Sequence, residues 1–249
     1  MSEILIPIPK TSLEKILKPV NRLTDSCVLK IDGDTLYTLC NSSDNSVILY
    51  ADTKLPIELD KLKLNLINIK KLLTGLDCLG DDGEFRFMYN ENHIVCKSIN
   101  GNNNTHIKYH LSDDGIIKES TVNIEKISKL NFDTIFEISL FKIKQIISAY
   151  SFTSDVNKIY FYTKNNDVFA EIDDKTMHNI DNVSLLISEQ FTGTSLLDPL
   201  SVKIEVFKLL ASSKTSIKVK INNEFKVFIF ETQEDENTSL KYIVSALVK

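Results

Sequence analysis

The chain has 249 residues, room for two domains of ordinary size. Hydrophobic residues make up 43% and charged residues 25%, which argues against extended disorder, collagen and coiled coil. Lys and Arg total 29 against 34 acids, and a net charge of -5 argues against tight nucleic-acid binding by bulk charge; only a local basic stripe would serve.

No apolar run reaches the ~18 residues needed to cross a bilayer, so no membrane contact is expected. Met1 to Lys10 has Glu3 ahead of a short apolar stretch and no basic leading segment. It does not read as a signal peptide, and the expected location is the cytoplasm, of a cell or of an infected host. Only Arg22 and Arg86 are arginines, so bidentate reading of guanine edges is not expected. Cys27, Cys40, Cys78 and Cys96 form no CxxC pair and read as free thiols.

In chain order, Ile4 to Pro7 is strand-like, and Thr11-Ser12-Leu13-Glu14 reads as a capping box that opens a helix. Leu13, Ile16, Leu17 and Val20 give that helix its apolar face, and Pro19 should kink or shorten it. Ser26 to Ile31, the turn Asp32-Gly33-Asp34 and Thr35 to Cys40 form a hairpin, extended by Val47 to Ala51. Ile69, Leu72, Leu73 and Leu76 mark a second helix. A meander follows: Glu84 to Tyr89, the turn Asn90-Glu91-Asn92, His93 to Ser98, and Thr105 to Leu111. The second half opens with a strand at Thr134 to Ile138 and a third helix at Leu140, Ile143 and Ile147. Lys158 to Thr163, a turn at Asn165-Asn166 and Asp167 to Ile172 make another hairpin, and Asn182 to Ser188 a further strand. Val206, Leu209 and Leu210 mark a fourth helix, and the chain closes with Ser216 to Ile221, a turn at Asn222-Asn223, Glu224 to Glu231 and Ser239 to Leu247. Each helix should be about ten residues, roughly 15 Å.

The order repeats. TSLEKILKPV from Thr11 recurs as ISLFKIKQII from Ile138, INIKKLL from Ile67 as IEVFKLL from Ile204, and IKYHL from Ile107 as LKYIV from Leu240. One such match means little; three in the same order mean tandem domains of one α+β fold, each holding two strand-helix-strands units. The boundaries read as residues 1–112, a connector at 113–133, and residues 134–249.

Enzymatic signals are weak. Gly75 and Gly80 have P-loop spacing, but Asp81-Asp82 stand where Lys-Ser/Thr is needed. His106 and His110 share one face of a strand, and a solvated face is the plainer reading than a metal pair. Asp81-Asp82, Asp113-Asp114 and Asp173-Asp174 sit in turn-like segments, and His93 and His178 stand alone. No catalytic constellation, cofactor or metal site is expected, and the chain reads as a non-enzyme.

What remains is charge on helices. Lys15, Lys18 and Arg22 recur at i, i+3 and i+7, on the face away from Leu13, Ile16, Leu17 and Val20. The second helix offers Lys70 and Lys71, the third Lys142 and Lys144, the fourth Lys208. Glu14 and Glu205 stand near helix starts, where the macrodipole favours acids. Four basic helices in an acidic chain suit phosphate contact without base readout.

With these helices, the two doubled domains and the ending Leu240-Lys241-Tyr242-Ile243, the chain resembles the DNA sliding clamps. Its length is similar to that of the two-domain subunits of proliferating cell nuclear antigen and tailed-phage clamps, and the TSLEKIL start and short connector resemble the phage polymerase processivity factors. The resemblance implies a homotrimeric ring around duplex DNA, with antiparallel sheets outside and short helices lining one face. Lys15, Lys18, Arg22, Lys70, Lys71, Lys142, Lys144 and Lys208 would then face phosphates. It implies head-to-tail pairing of open sheet edges, with Thr105, Ile107, Tyr109 and Leu111 on one edge and Val183, Leu185 and Ile187 on the other. It implies a replicative DNA polymerase and an ATP-driven clamp loader as partners, docking a peptide near Ile124, Ile127, Leu130, Ile243, Ala246 and Val248. Two other classes stay open: a β-rich viral structural or assembly protein with a duplicated domain, and a single-strand binder. The latter needs exposed aromatics among basic residues, for which Phe85, Arg86, Phe87 and Tyr89 come nearest.

Overall fold

The computed structural model describes residues 3–81, 83–100, 103–153, 156–173 and 181–247. Asp82, Asp174, His178 and Val248, singled out above, lie outside them. Two compact units are present. The first is Met1–Thr121 with Asp235–Leu240; the second is Val122–Glu234 with Lys241–Lys249.

The first unit begins with β1 (Ile4–Ile6) and α1 (Lys10–Leu23). The expected capping box is not formed. Pro9 is the cap residue, and its carbonyl accepts from the amides of Ser12 and Leu13, so Thr11 already lies inside the first turn. Pro19 does not end the helix, which runs on to Leu23. Lacking an amide, Pro19 forfeits one backbone bond, at a cost of about 3 kcal/mol. Leu13, Ile16, Leu17 and Val20 are all fully buried, at roughly 1.5–3 kcal/mol each, and outweigh it.

β2 (Ser26–Asn41) and β3 (Val47–Ile67) form a folded ribbon. Thr38 Oγ1 donates to the Val28 carbonyl at 2.9 Å. Ten extended residues would span about 33 Å, so β2 turns back on itself, at Gly33, whose φ is +62°. Residues 26–31 pair with 62–67, and residues 35–41 with 48–54. After α2 (Ile69–Cys78) come β4 (Glu84–Asn90), β5 (His93–Asn100) and β6 (Asn103–His110), in a sheet of order β1-β4-β5-β6. Residues 235–240 complete this unit against β3: Lys54 N–H donates to the Asn237 carbonyl, and the hydroxyls of Thr53 and Thr238 meet at 2.9 Å.

The second unit opens with α3 (Ile124–Ser128), a short connector helix capped by Asn123 that the sequence does not signal. β7 (Thr134–Ile138), α4 (Leu140–Phe152), β8 (Lys158–Lys164), β9 (Asp167–Ile172) and β10 (Val183–Ser188) follow. Then come β11 (Thr192–Gly193), β12 (Leu200–Lys203), α5 (Glu205–Leu210), β13 (Ile217–Asn222), β14 (Val227–Gln233) and β15 (Thr238–Ser245). One sheet has the order β10-β9-β8-β12; another runs β7-β13-β14-β15.

These orders match the first unit strand for strand. β1-β4-β5-β6 corresponds to β7-β13-β14-β15. The ribbon order 48–54, 35–41, 26–31, 62–67 corresponds to β10-β9-β8-β12. In each unit the sheets leave room for two helices, α1 with α2 and α4 with α5. The α+β architecture expected of a doubled clamp-type domain is thus present twice. In the second unit an aromatic cluster fills the core: Phe161 lies 6.1 Å from Phe136, 6.0 Å from Phe207 and 5.6 Å from Phe228, ring centre to ring centre.

Candidate nucleic-acid interface

The eight basic side chains separate into two kinds. On α1 the lysines carry acidic partners. Lys15 Nζ lies 2.6 Å from Asp235 Oδ2, and Lys18 Nζ 2.6 Å from Glu14 Oε2. Lys10, on the same helix, pairs with Asp81 at 2.8 Å. Arg22 is exposed at the helix end.

Burial tends to raise the Asp235 carboxyl, but hydrogen bonds from Lys15, Asn237 and Thr238 outweigh it and hold the group below its ordinary value of 3.8. A depressed folded value means stabilisation that is full above the unfolded value and lost as pH falls through the folded one. Lys15→Gln should therefore lower the Tm by a few degrees at pH 7, for a loss of about 1 kcal/mol in a chain of this size. The gap from wild type should close as the buffer is taken below pH ~3.8. Thermal melts from pH 7 to pH 3 check this; an unchanged Tm at pH 7 would show the pair to be idle.

The other helices carry their lysines differently. α2 is capped by Asn68, whose side chain accepts from the Lys71 amide at 3.1 Å. Its apolar face buries Ile69, Leu72 and Leu76 against the unit and leaves Lys70 and Lys71 in water. Ser139 caps α4, accepting from the Lys142 amide; Ile143 and Ile146 are buried, Lys142 is half-buried and Lys144 exposed. α5 is one turn and a half, with Val206, Phe207 and Leu210 buried. Its exposed Lys208 sits over the Tyr150 ring of α4, 4.7 Å from the centroid. Among the described residues none of Lys70, Lys71, Lys142 and Lys144 is held by an acidic side chain. The structure thus brings basic groups together within each unit, α1 beside α2 and α4 beside α5, with the uncompensated charge on α2, α4 and α5.

Both strands named as open edges end their sheets: β6 bonds β5 and β10 bonds β9, with no further ladder among the described residues. Of the named side chains on this edge, Thr105 is exposed and Leu111 half-buried, whereas Ile107 and Tyr109 are turned inward. Tyr109 is buried and its hydroxyl donates to the Ile67 carbonyl. Ile107 reaches α2 so closely that a Cβ on Gly75 would lie 2.7 Å from its Cδ1. The backbone tells another story. Leu111 N–H donates to Asn92 O at 2.8 Å, and the register runs unbroken from His93↔His110 to Asn100↔Asn103. Hydrogen-bonded pairs alternate in an antiparallel ladder. Residues 105, 107, 109 and 111 therefore spend their amides on β5, and Asn104, His106, Lys108 and His110 aim theirs outward. The sequence could not reveal this parity. On β10, Val183 and Leu185 are half-buried and Ile187 is buried.

The connector is anchored by charge in the first unit. Glu119 contacts Lys30 Nζ at 2.5 Å and Lys63 Nζ at 2.7 Å, and Asp114 accepts from Asn65 Nδ2 at 2.8 Å. The Lys30 and Lys63 ammonium groups hold the Glu119 carboxyl below the usual glutamate range. In the second unit Ile124, Ile127, Leu130 and Ala246 are half-buried, whereas Ile243 is only 5% exposed within β15. Ile243 is a core residue and corrects the groove set; Val248 lies outside the described residues.

The remaining candidates are quiet. His93 and His110 are strand partners with ring centres 6.0 Å apart. Among the described residues no three His, Cys, Asp or Glu side chains converge. Cys27, Cys40 and Cys96 are buried and Cys78 exposed, all free; burial pushes the Cys27 and Cys96 thiols up to about 12. Phe87 is fully buried and Phe85 and Tyr89 half-buried, so they offer no exposed stacking platform. A cleft of about 720 Å³ in the first unit, walled by Leu5, Pro7, Leu55, Pro56 and Phe85, carries no sequence signal. No helix among the described residues is long and apolar enough to cross a membrane.

The fold has solved counterparts. It is similar to proliferating cellular nuclear antigen from Entamoeba histolytica over 96% of each chain, with a TM-score of 0.76 and 13% identity. It is also similar to A. fulgidus PCNA, solved with the C-terminal region of FEN-1, over 100% of this chain and 99% of that one, with a TM-score of 0.73 and 12% identity. No family model matches the chain, and no curated protein matches it in sequence. What is shared at such identities is the fold, that of PCNA-like sliding clamps.

Proposed function

We propose that this chain is a DNA sliding clamp. Three copies close head to tail into a ring around duplex DNA and tether a replicative DNA polymerase, without sequence preference and without chemistry of their own. The observation that carries this reading is the repeated unit, in which each helix pair carries lysines that have no acidic partner among the described residues: the exposed Lys70 and Lys71 in one, the half-buried Lys142 and exposed Lys144 in the other. Such cations contact phosphates weakly and blindly to sequence, which permits sliding. Lys208 extends the set and Arg22 adds a further exposed cation; Lys15 and Lys18 join only by exchanging their acidic partners for phosphate.

The β6 edge of one copy pairs with the β10 edge of the next, and closure of the ring removes both edges. An ATP-driven loader opens it. The A. fulgidus relative is solved with a partner's C-terminal segment; here an apolar partner peptide docks beside Ile124, Ile127, Leu130 and Ala246. From the TSLEKIL start and the short connector we take the clamp to be of the tailed-phage type, acting in the host cytoplasm.

Encirclement has a direct test that needs no loader. Purified protein at high concentration is threaded onto linear duplex through its ends, which are then blocked with biotin and streptavidin. A clamp elutes as a trimer, stays on the blocked DNA through a salt wash, and leaves when the DNA is cut. Protein that remains monomeric, or that washes off blocked and open DNA alike, refutes the reading.

A further inference from the structure

The outer face of α4 holds two large rings in water. Phe141 is 65% exposed and Phe152 64%. Eleven residues separate them, which at 3.6 residues per turn returns the helix to within about 20° of the same direction, roughly 16 Å further along its axis. The buried Ile143 and Ile146 point the other way. Ser148 lies between the rings on the same line, Lys144 is about 60° to one side of it, and Lys142 about 100° to the other. α4 contains no acidic residue; Lys208 of α5 stands over Tyr150, about 180° from Phe141 around the helix, and is not part of this face.

One exposed Phe needs no explanation. Two in line, flanked by lysines that have no acidic partner among the described residues, are another matter. They combine flat apolar surfaces with cations, which is the chemistry that unpaired nucleotides use: bases stack on rings while phosphates meet ammonium groups. A duplex keeps its bases stacked on one another and gives the rings nothing to take. A protein partner would gain from the rings but would need acids to meet Lys142 and Lys144. The counterpart face of α1 has no aromatic residue, so the feature belongs to the second unit alone.

We propose that the α4 face binds single-stranded DNA, an unpaired stretch such as template beyond a primer end, by stacking bases on Phe141 and Phe152. This rests on the reading that α4 faces DNA. The sequence lacks Trp, so Phe152→Trp supplies a lone fluorescent reporter at an exposed site. A 20-residue oligo-dT should quench it saturably, and a blunt hairpin duplex of equal charge should not. Phe141→Ala in that background should weaken the oligo-dT titration roughly 10-fold, while Phe141→Tyr should leave it within about 3-fold. Anisotropy of labelled oligo-dT with Phe141→Ala/Phe152→Ala gives a second measurement free of the reporter, with a loss on the order of 100-fold expected. Equal quenching by duplex, no quenching by oligo-dT, or emission that tracks protein concentration alone, as a second copy on this face would cause, overturns the proposal. Quenching in protein that fails to thread onto blocked DNA supports the single-strand site while the clamp reading falls; threading without quenching removes the single-strand site alone.

Discussion

Lys108→Pro yields a folded monomer if β6 is the edge that joins one copy to the next. The outward amide of Lys108 is free of β5 by the parity of the ladder. Proline there deletes a donor that the chain's own sheet does not use and sets a ring in the path of an approaching strand, a change that edge strands tolerate. The loss is about 1–3 kcal/mol at each interface. Three interfaces multiply it to roughly 10²–10⁶ in the assembly constant. Sedimentation against concentration should show the trimer giving way to single chains, with circular dichroism unchanged. The contrasting Ile107→Pro deletes an amide that β5 does use and should unfold the first unit. If Lys108→Pro still forms trimers at wild-type concentrations, β6 is not the joining edge.

Phe161→Ala should be the most damaging single truncation in the second unit. Phe161 is fully buried on β8 and touches three rings, from β7, α5 and β14. Removing a buried Phe costs about 3–5 kcal/mol, and the loss tends to the upper end where rigid neighbours cannot collapse into the space. Against a typical domain stability of ~5–15 kcal/mol that is a large share. Phe141→Ala, removing the same atoms from water, should stay within ~0.5 kcal/mol. Urea titrations of the two variants compare them directly; equal midpoints would mean the cluster packs loosely.

The same contrast shows what a sequence displays and what it hides. The turn at Asn165-Asn166 was legible because its chemistry is local: both residues have positive φ, 51° and 70°, which Asn tolerates. The apolar faces of α1 and α2 were legible by period. Alternation marks β3 only to Ala51, because Pro56, Glu58, Asp60 and Lys61 break it where the strand's exposed middle lies. β12, four residues long, has too few positions to show a period. The turn at Asn222-Asn223 is in fact a longer loop that rejoins at Val227, with Lys226 rather than Asn at the positive-φ position. For the candidate interface, the positions of the lysines on their helices were legible, but their partners were not. Lys15 meets Asp235 across 220 residues, and no local pattern foretells an encounter of that range. Likewise alternation shows that Ile107 and Tyr109 share a side of β6, but only packing on Gly75 and Ile67 shows which side.

The membership of Asp235–Leu240 in the first unit has a consequence for the order of events on the ribosome. That unit takes its first helix from the start of the chain and the partner of Lys15, with the strand that meets Thr53, from near the end. Translation at ~5–20 residues per second separates the two by roughly 10–45 s. During that interval the amino-terminal unit waits with an open seam, and the carboxy-terminal unit emerges in nearly unbroken succession. The half of the molecule begun first therefore cannot close until residues 235–240 have been made, and nascent chains stalled before residue 235 should be cut by protease in the first unit.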